Sequence, residues 1–196
     1  MIIIGVTGGM GSGKSLASRM FGELGAIVIE ADKVGKKLYS IDPTLKNKIV
    51  EAFGNDILDD SGEVSFKKLA AVAFKNSLSV GLLNSITHPF IKIAIREKII
   101  DLAISHDVIV VDAALLYEGE LLYTVDYIIT VTAPEELRVK RVVDSGRFSE
   151  EEVRKRMALQ LPEKEKADRA DYVITNVGTV EELRAKVEDV YNKIIL

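Results

Sequence analysis

The chain has 196 residues, 47% apolar and 29% charged, with 14 glycines, four prolines and no cysteine, which excludes a disordered, collagen-like or coiled-coil chain. Without cysteine there are no disulfides or thiolate metal sites, a composition that fits a reducing compartment, and two histidines, His88 and His106, are too few for a histidine zinc site. A net charge of −4 gives no support to nucleic-acid binding, and with no basic leader and no apolar stretch near bilayer length, the expectation is no signal peptide and no membrane span.

Short apolar runs alternate with helical patterns along the chain. Ile2–Val6 reads as a strand buried on both faces. It runs into a glycine-rich turn and then a helix whose Ala17, Met20, Phe21 and Leu24 share one face, with Gly25 ending it. Further strands are expected at Ala26–Ile29, Val108–Val111, Tyr127–Thr132 and Tyr172–Thr175. Between the second and third lies a stretch that reads as helices only, broken at Pro43, Gly54, Asp60–Gly62 and Pro89, where Thr87 or His88 would cap a new helix. It is too long for one crossover and reads as a helical insertion. Ser149 with Glu152, and Thr179 with Glu182, have capping-box spacing. The alternation predicts an α/β fold, a five-stranded parallel sheet with helices on both faces.

Gly8-x-x-x-x-Gly13-Lys14-Ser15 follows the first strand and precedes a helix, the context a phosphate-binding loop requires. Gly9, Met10, Gly11, Ser12 and Gly13 let the backbone curl so that N–H groups face phosphate oxygens. The helix N-terminus adds positive potential. Lys14 brings an ammonium to the β- and γ-phosphates, and Ser15 offers a hydroxyl to Mg²⁺. Nucleoside triphosphate binding follows. No Asn-Lys-x-Asp stretch for guanine is present, and the size and layout favour a small-molecule kinase over a motor.

Two acids close strands on the phosphate-loop side. Asp32 can orient an attacking hydroxyl or cap the next helix. Asp112 can hold Mg²⁺ or sit as a solvated strand-end acid. Arg138 and Arg141 precede a charge-rich stretch with Arg147, Arg154 and Arg156, which reads either as a mobile flap over the phosphates or as a solvated face with pairs such as Glu150–Arg154.

With these residues in place, the chain resembles the dephospho-CoA kinase family over nearly its full length. The landmarks are Gly5–Ser15, Ile29-Glu30-Ala31-Asp32, Thr87-His88-Pro89, Leu115-Leu116-Tyr117-Glu118, Arg141, Gln160 and Ala170–Gly178. The resemblance implies a phosphate-loop kinase fold in one domain: a core of residues 1–32, 108–141 and 163–196, a helical acceptor-binding insertion over about 33–107 and a mobile lid over about 142–162. It implies transfer of the γ-phosphoryl of ATP, with Mg²⁺, to the ribose 3′-hydroxyl of dephospho-CoA, giving CoA and ADP in the cytoplasm. By position, Asp32 would face that hydroxyl, Lys14 and Arg141 would steady the phosphoryl group, and Asn176 and Gly178 would lie near adenine. His88 and Leu115 would border the acceptor, and Ser15 and Asp112 would hold the metal. Small molecules would be its partners, with neither nucleic acid nor membrane, in a monomer or small homo-oligomer. Departures from the family pattern are Glu30 in place of Asp, Ala114 in place of Pro, and Ser145 in place of a lid Arg, with Arg147 two positions on. A shikimate- or nucleoside-monophosphate-type kinase and a non-catalytic ATP sensor are the rival readings.

Overall fold

The computed structural model describes residues 1–119 and 121–196. In chain order the elements are β1 (Ile2–Thr7), α1 (Lys14–Glu23), β2 (Ile27–Glu30), α2 (Ala31–Ile41), α3 (Pro43–Phe53), α4 (Phe66–Ala73), α5 (Ser77–Leu102), β3 (Val108–Asp112), β4 (Tyr127–Thr132), α6 (Glu135–Asp144), α7 (Glu150–Met157), α8 (Glu163–Asp168), β5 (Tyr172–Thr175) and α9 (Val180–Ile195). They form two compact units, Met1–Glu30 with Glu97–Leu196, and Ala31–Arg96.

The first unit is built on one parallel sheet in the order β2-β3-β1-β4-β5. Its central strand β1 aligns Ile4 with Val110 of β3 and with Tyr127 of β4, so the backbone groups of its Ile-rich run are paired on both sides. Ile4, Val6, Val110, Ile129, Val131 and Ile174 point to one side. There Ala17, Met20 and Phe21 of α1 and Leu183, Val187, Val190 and Ile194 of α9 close over them. Phe21 is completely buried and packs at 6.0 Å, tilted, against Tyr191; burial of such a ring contributes about 2 to 3 kcal/mol. On the other side a Cβ at Gly5 would touch Leu116 and Val125, so glycine lets the following segment lie directly on the strand.

The second unit holds α2, α3, α4 and most of α5. Leu45, Ile49, Ile57, Val64, Leu69, Ala73 and Leu83 form its own core. Local signals set its helix starts: Asp42 accepts from the Leu45 N–H at 2.9 Å ahead of Pro43, and Ser65 caps α4 by accepting from Lys68.

The expected break at Pro89 does not occur. Helix α5 runs unbroken through it for 26 residues. Proline removes one helical hydrogen bond and crowds the turn before it, but Ile86 and Phe90 on either side pack against the second unit's core and Thr87 is buried, which keeps the helix turning. The same continuity overturns one part of the membrane reading, the expected absence of an apolar stretch near bilayer length. By length and composition α5 could cross a bilayer. Asn84, His88 and Lys92 recur every four residues within it, however, and form a polar stripe that lipid would not accommodate.

Candidate active site

The phosphate loop begins where β1 ends. Gly11 (φ +80°) and Gly13 (φ +96°) both lie in the left-handed region, and a Cβ on Gly11 would collide with the Arg138 backbone. The Ser12 N–H closes the turn onto the Gly9 carbonyl at 3.1 Å, and the Leu16 and Ala17 N–H groups both reach the Gly13 carbonyl at 3.0 Å, starting α1. The Lys14 N–H turns to the Ser12 hydroxyl at 3.4 Å, and this first turn carries the positive end of α1. Ser15 is exposed on this first turn.

Lys14 opens α1 but its side chain does not reach for solvent. It is only 9% exposed, and its ammonium pairs with the carboxylate of Asp112, which is 5% exposed at the end of β3. Asp112 is therefore a buried, paired acid and not a solvated one. Two arms, the half-buried Arg141 and the buried Asn176, grip the loop from the side. Arg141 Nη2 donates to the Asn176 carbonyl at 3.1 Å and Nη1 to the Gly11 carbonyl at 3.5 Å. The Asn176 amide donates to the Ser12 carbonyl at 2.8 Å. Arg141, Asn176 and Gly178 line, with Gly13, Leu16 and Thr179, a hollow of about 220 Å³.

Gly9 and Met10 face a different way. The Gly9 N–H donates to Glu163 at 2.6 Å and the Met10 N–H to Gln160 at 3.2 Å. Leu115 lies half-buried in the turn after β3, beside the buried Leu116 and Tyr117. In the second unit, Asp32 is exposed in the first turn of α2, inside the helix and not at its cap, and His88 sits half-buried within α5.

Sequence reasoning did not single out Lys166 or Glu163, and it named Glu118 only as part of a landmark, with no role. Lys166 lies in a charged run that reads as solvated, yet it is fully buried. Its ammonium donates to the Ala114 carbonyl at 3.0 Å and lies 3.5 Å from Glu118, while its own carbonyl accepts from the hydroxyls of Tyr117 and Thr130. Glu118 also accepts from the Leu161 N–H at 3.0 Å. No spacing rule signals such a hub, because its partners come from two distant segments, residues 114–118 and Thr130.

The profile of the dephospho-CoA kinase family matches residues 2–182. The chain belongs to the dephospho-CoA kinase family. A dephospho-CoA kinase of Carboxydothermus hydrogenoformans is 38% identical over 192 residues, 97% of this chain and 93% of that protein. The solved dephospho-CoA kinase from Campylobacter jejuni superposes with TM-score 0.70 at 27% identity, covering 98% of this chain and 96% of that one. A shikimate kinase from Acinetobacter baumannii, solved with shikimate, is 19% identical at TM-score 0.50 over 100% and 96% of the two chains, a likeness of fold alone. Within the dephospho-CoA kinase family, Lys14, Ser15, Asp112, Arg141 and Asn176 of this chain meet at one end of the sheet, and the fold is the α/β phosphate-loop kinase fold.

Proposed function

We propose that the chain transfers the γ-phosphoryl of ATP to the ribose 3′-hydroxyl of dephospho-CoA, releasing CoA and ADP, with Gly8–Ser15 as the donor site. The observation that carries this reading is a full-length family match joined to a phosphate loop whose lysine is stored, paired, beside a buried strand-end carboxylate. The first-turn amides of α1 receive the β-phosphate. Lys14 turns from Asp112 to the β- and γ-phosphates. Arg141, already anchored beside the loop, neutralises charge on the transferred group. Asn176 and Gly178, which line the hollow next to the loop, border adenine.

The donor set suits Mg²⁺. Exposed Ser15 and buried Asp112 offer two hard oxygens, and among the described residues no cluster of three acids or histidines exists to bind a metal independently of substrate. Mg²⁺ takes few protein ligands and fills its octahedron with phosphates and water. Ser15 and Asp112 would hold it, and when bound it supplies charge neutralisation at the β- and γ-phosphates.

In this reading the second unit holds the acceptor. Asp32 orients the 3′-hydroxyl and accepts its proton, and His88 and Leu115 border the acceptor. Residues 142–162 act as the lid that excludes water. The enzyme works in the cytoplasm on small molecules, as a monomer or small homo-oligomer, and its net charge of −4 gives no support to a nucleic-acid partner.

Mass spectrometry of the products from purified protein, ATP, Mg²⁺ and dephospho-CoA tests the reading. The expected result is CoA and ADP in equal amounts, with no product from shikimate or nucleoside monophosphates. Phosphorylation of one of those in place of dephospho-CoA overturns it.

A further inference from the structure

The first turn of the phosphate loop is clasped from outside by the segments that bracket α7. From the C-terminal side, Glu163 accepts the Gly9 N–H at 2.6 Å and Gln160 accepts the Met10 N–H at 3.2 Å. From the N-terminal side, Arg138 donates to the Met10 carbonyl at 3.5 Å and lies 3.9 Å from the Glu163 carboxylate. The Met10 side chain packs into the apolar cluster of Val139, Val142 and Val153 that joins α6 to α7. A Cβ on Gly9 would meet both the Glu163 carboxylate and the Arg138 guanidinium, so this glycine makes room for the clasp.

These contacts fix the direction of two of the loop's amides. Two successive N–H groups, those of Gly9 and Met10, point outward to side chains. The Gly9 carbonyl between them is thereby aimed at the Ser12 N–H, which it accepts at 3.1 Å, and that bond closes the turn that leads into Gly13 and α1. The short Gly9–Glu163 bond is the charge-assisted member of the clasp. Its acceptor stands on the first residue of α8, immediately beyond the segment read as the lid.

We infer that Glu163 is a positioning residue for the nucleotide donor: by holding the Gly9 N–H outward it fixes the phosphate loop in the curl that receives the triphosphate, and it ties that curl to the segment carrying α7. The inference rests on the reading of Gly8–Ser15 as the donor site but not on the identity of the acceptor. What Glu163 supplies is an acceptor oxygen at the right reach. Glu163→Gln keeps that reach without the charge. Glu163→Asp keeps the charge and falls one methylene short.

Calorimetric titration with β,γ-imido-ATP and Mg²⁺, without acceptor, separates these roles, alongside KM values for ATP and dephospho-CoA and the melting temperature. Expected are a roughly tenfold weaker Kd for the analogue in E163D and in E163A, a Kd within threefold of wild type in E163Q, and a KM for dephospho-CoA within twofold in all three. A folded E163D that binds the analogue as wild type does overturns the inference. So does an equal rise of both KM values that follows a fall in melting temperature, since that pattern belongs to a merely structural glutamate. Wild-type binding of the analogue without turnover of dephospho-CoA counts against the proposed acceptor and leaves the test of Glu163 intact.

Discussion

Lys14 and Asp112 come from elements far apart in the chain and neutralise each other where little water reaches. Removing one partner of such a pair leaves a buried, uncompensated charge, so a lysine variant has two effects that must be measured separately. Lys14→Ala is expected to lower kcat by about 10² to 10³, the usual loss for one preorganised electrostatic donor, and to lower stability by up to about 3 kcal/mol through the stranded carboxylate. Turnover and thermal unfolding read the two effects. Asp32→Asn is the contrasting case, since Asp32 is exposed in its own unit and stabilises little. It should lower kcat by about 10² or more with the KM for ATP within a fewfold of wild type; unchanged turnover removes Asp32 from proton transfer. The glycine-lysine-serine pattern announces the loop, because its chemistry is local. The Lys14–Asp112 pair and the Glu163 clasp are not legible in the same way: each joins residues about a hundred or more positions apart, and no local spacing encodes them.

Elements that depend on neighbouring residues follow the sequence closely. Strands β4 and β5 have the bounds the apolar runs predict, and both capping boxes form, at Ser149 with Glu152 and at Thr179 with Glu182. Where tertiary packing overrides a local signal the reading fails, as at Pro89. The proline is kept in α5 at the loss of a hydrogen bond, so Pro89→Ala should restore it and raise stability by about 1 to 2 kcal/mol; a lower unfolding midpoint in denaturant would contradict the continuous helix. Helix α7 is held differently. Arg154 joins Glu135 and Glu136 of α6 to Glu150 of its own helix at 2.9 to 3.2 Å, and its guanidinium keeps the Glu136 carboxyl below the ordinary carboxylate range. A carboxyl lowered in the folded state supports folding above its unfolded pKa of about 4.5 and loses that support as pH falls through its lower folded value. Protection of the α7 amides, corrected for the intrinsic exchange rate, is therefore expected to be high at pH 6, to fall below about pH 4.5, and to fall with salt at pH 6, where the carboxylates are charged and the groups exposed. Protection that ignores both would assign the docking of α7 to Val153 and its apolar neighbours alone.

At the scale of the molecule, chemistry-bearing residues divide between the two units. The loop, Lys14, Asp112, Arg141 and Asn176 belong to the sheet-bearing unit, and Asp32 and His88 to the helical one. The alternation of strands and helices makes the sheet readable from the sequence, and the long strand-free stretch makes the helical unit readable; the strand order is not, since it depends on which strands pair across the chain. A nucleotide analogue without acceptor should slow hydrogen exchange in residues 9–15 and 176–183 and leave residues 43–75 unchanged; protection of the latter by nucleotide alone would move the donor site. The strand order carries a further consequence for synthesis. β1 is the middle strand, yet β3 and β4, its only sheet neighbours, are translated about a hundred residues later. At about 5 to 20 residues per second, its Ile-rich run waits some 5 to 20 seconds on the ribosome with both edges bare, so the nascent chain is exposed to misassembly, and in need of a chaperone's shelter, long before the finished enzyme is.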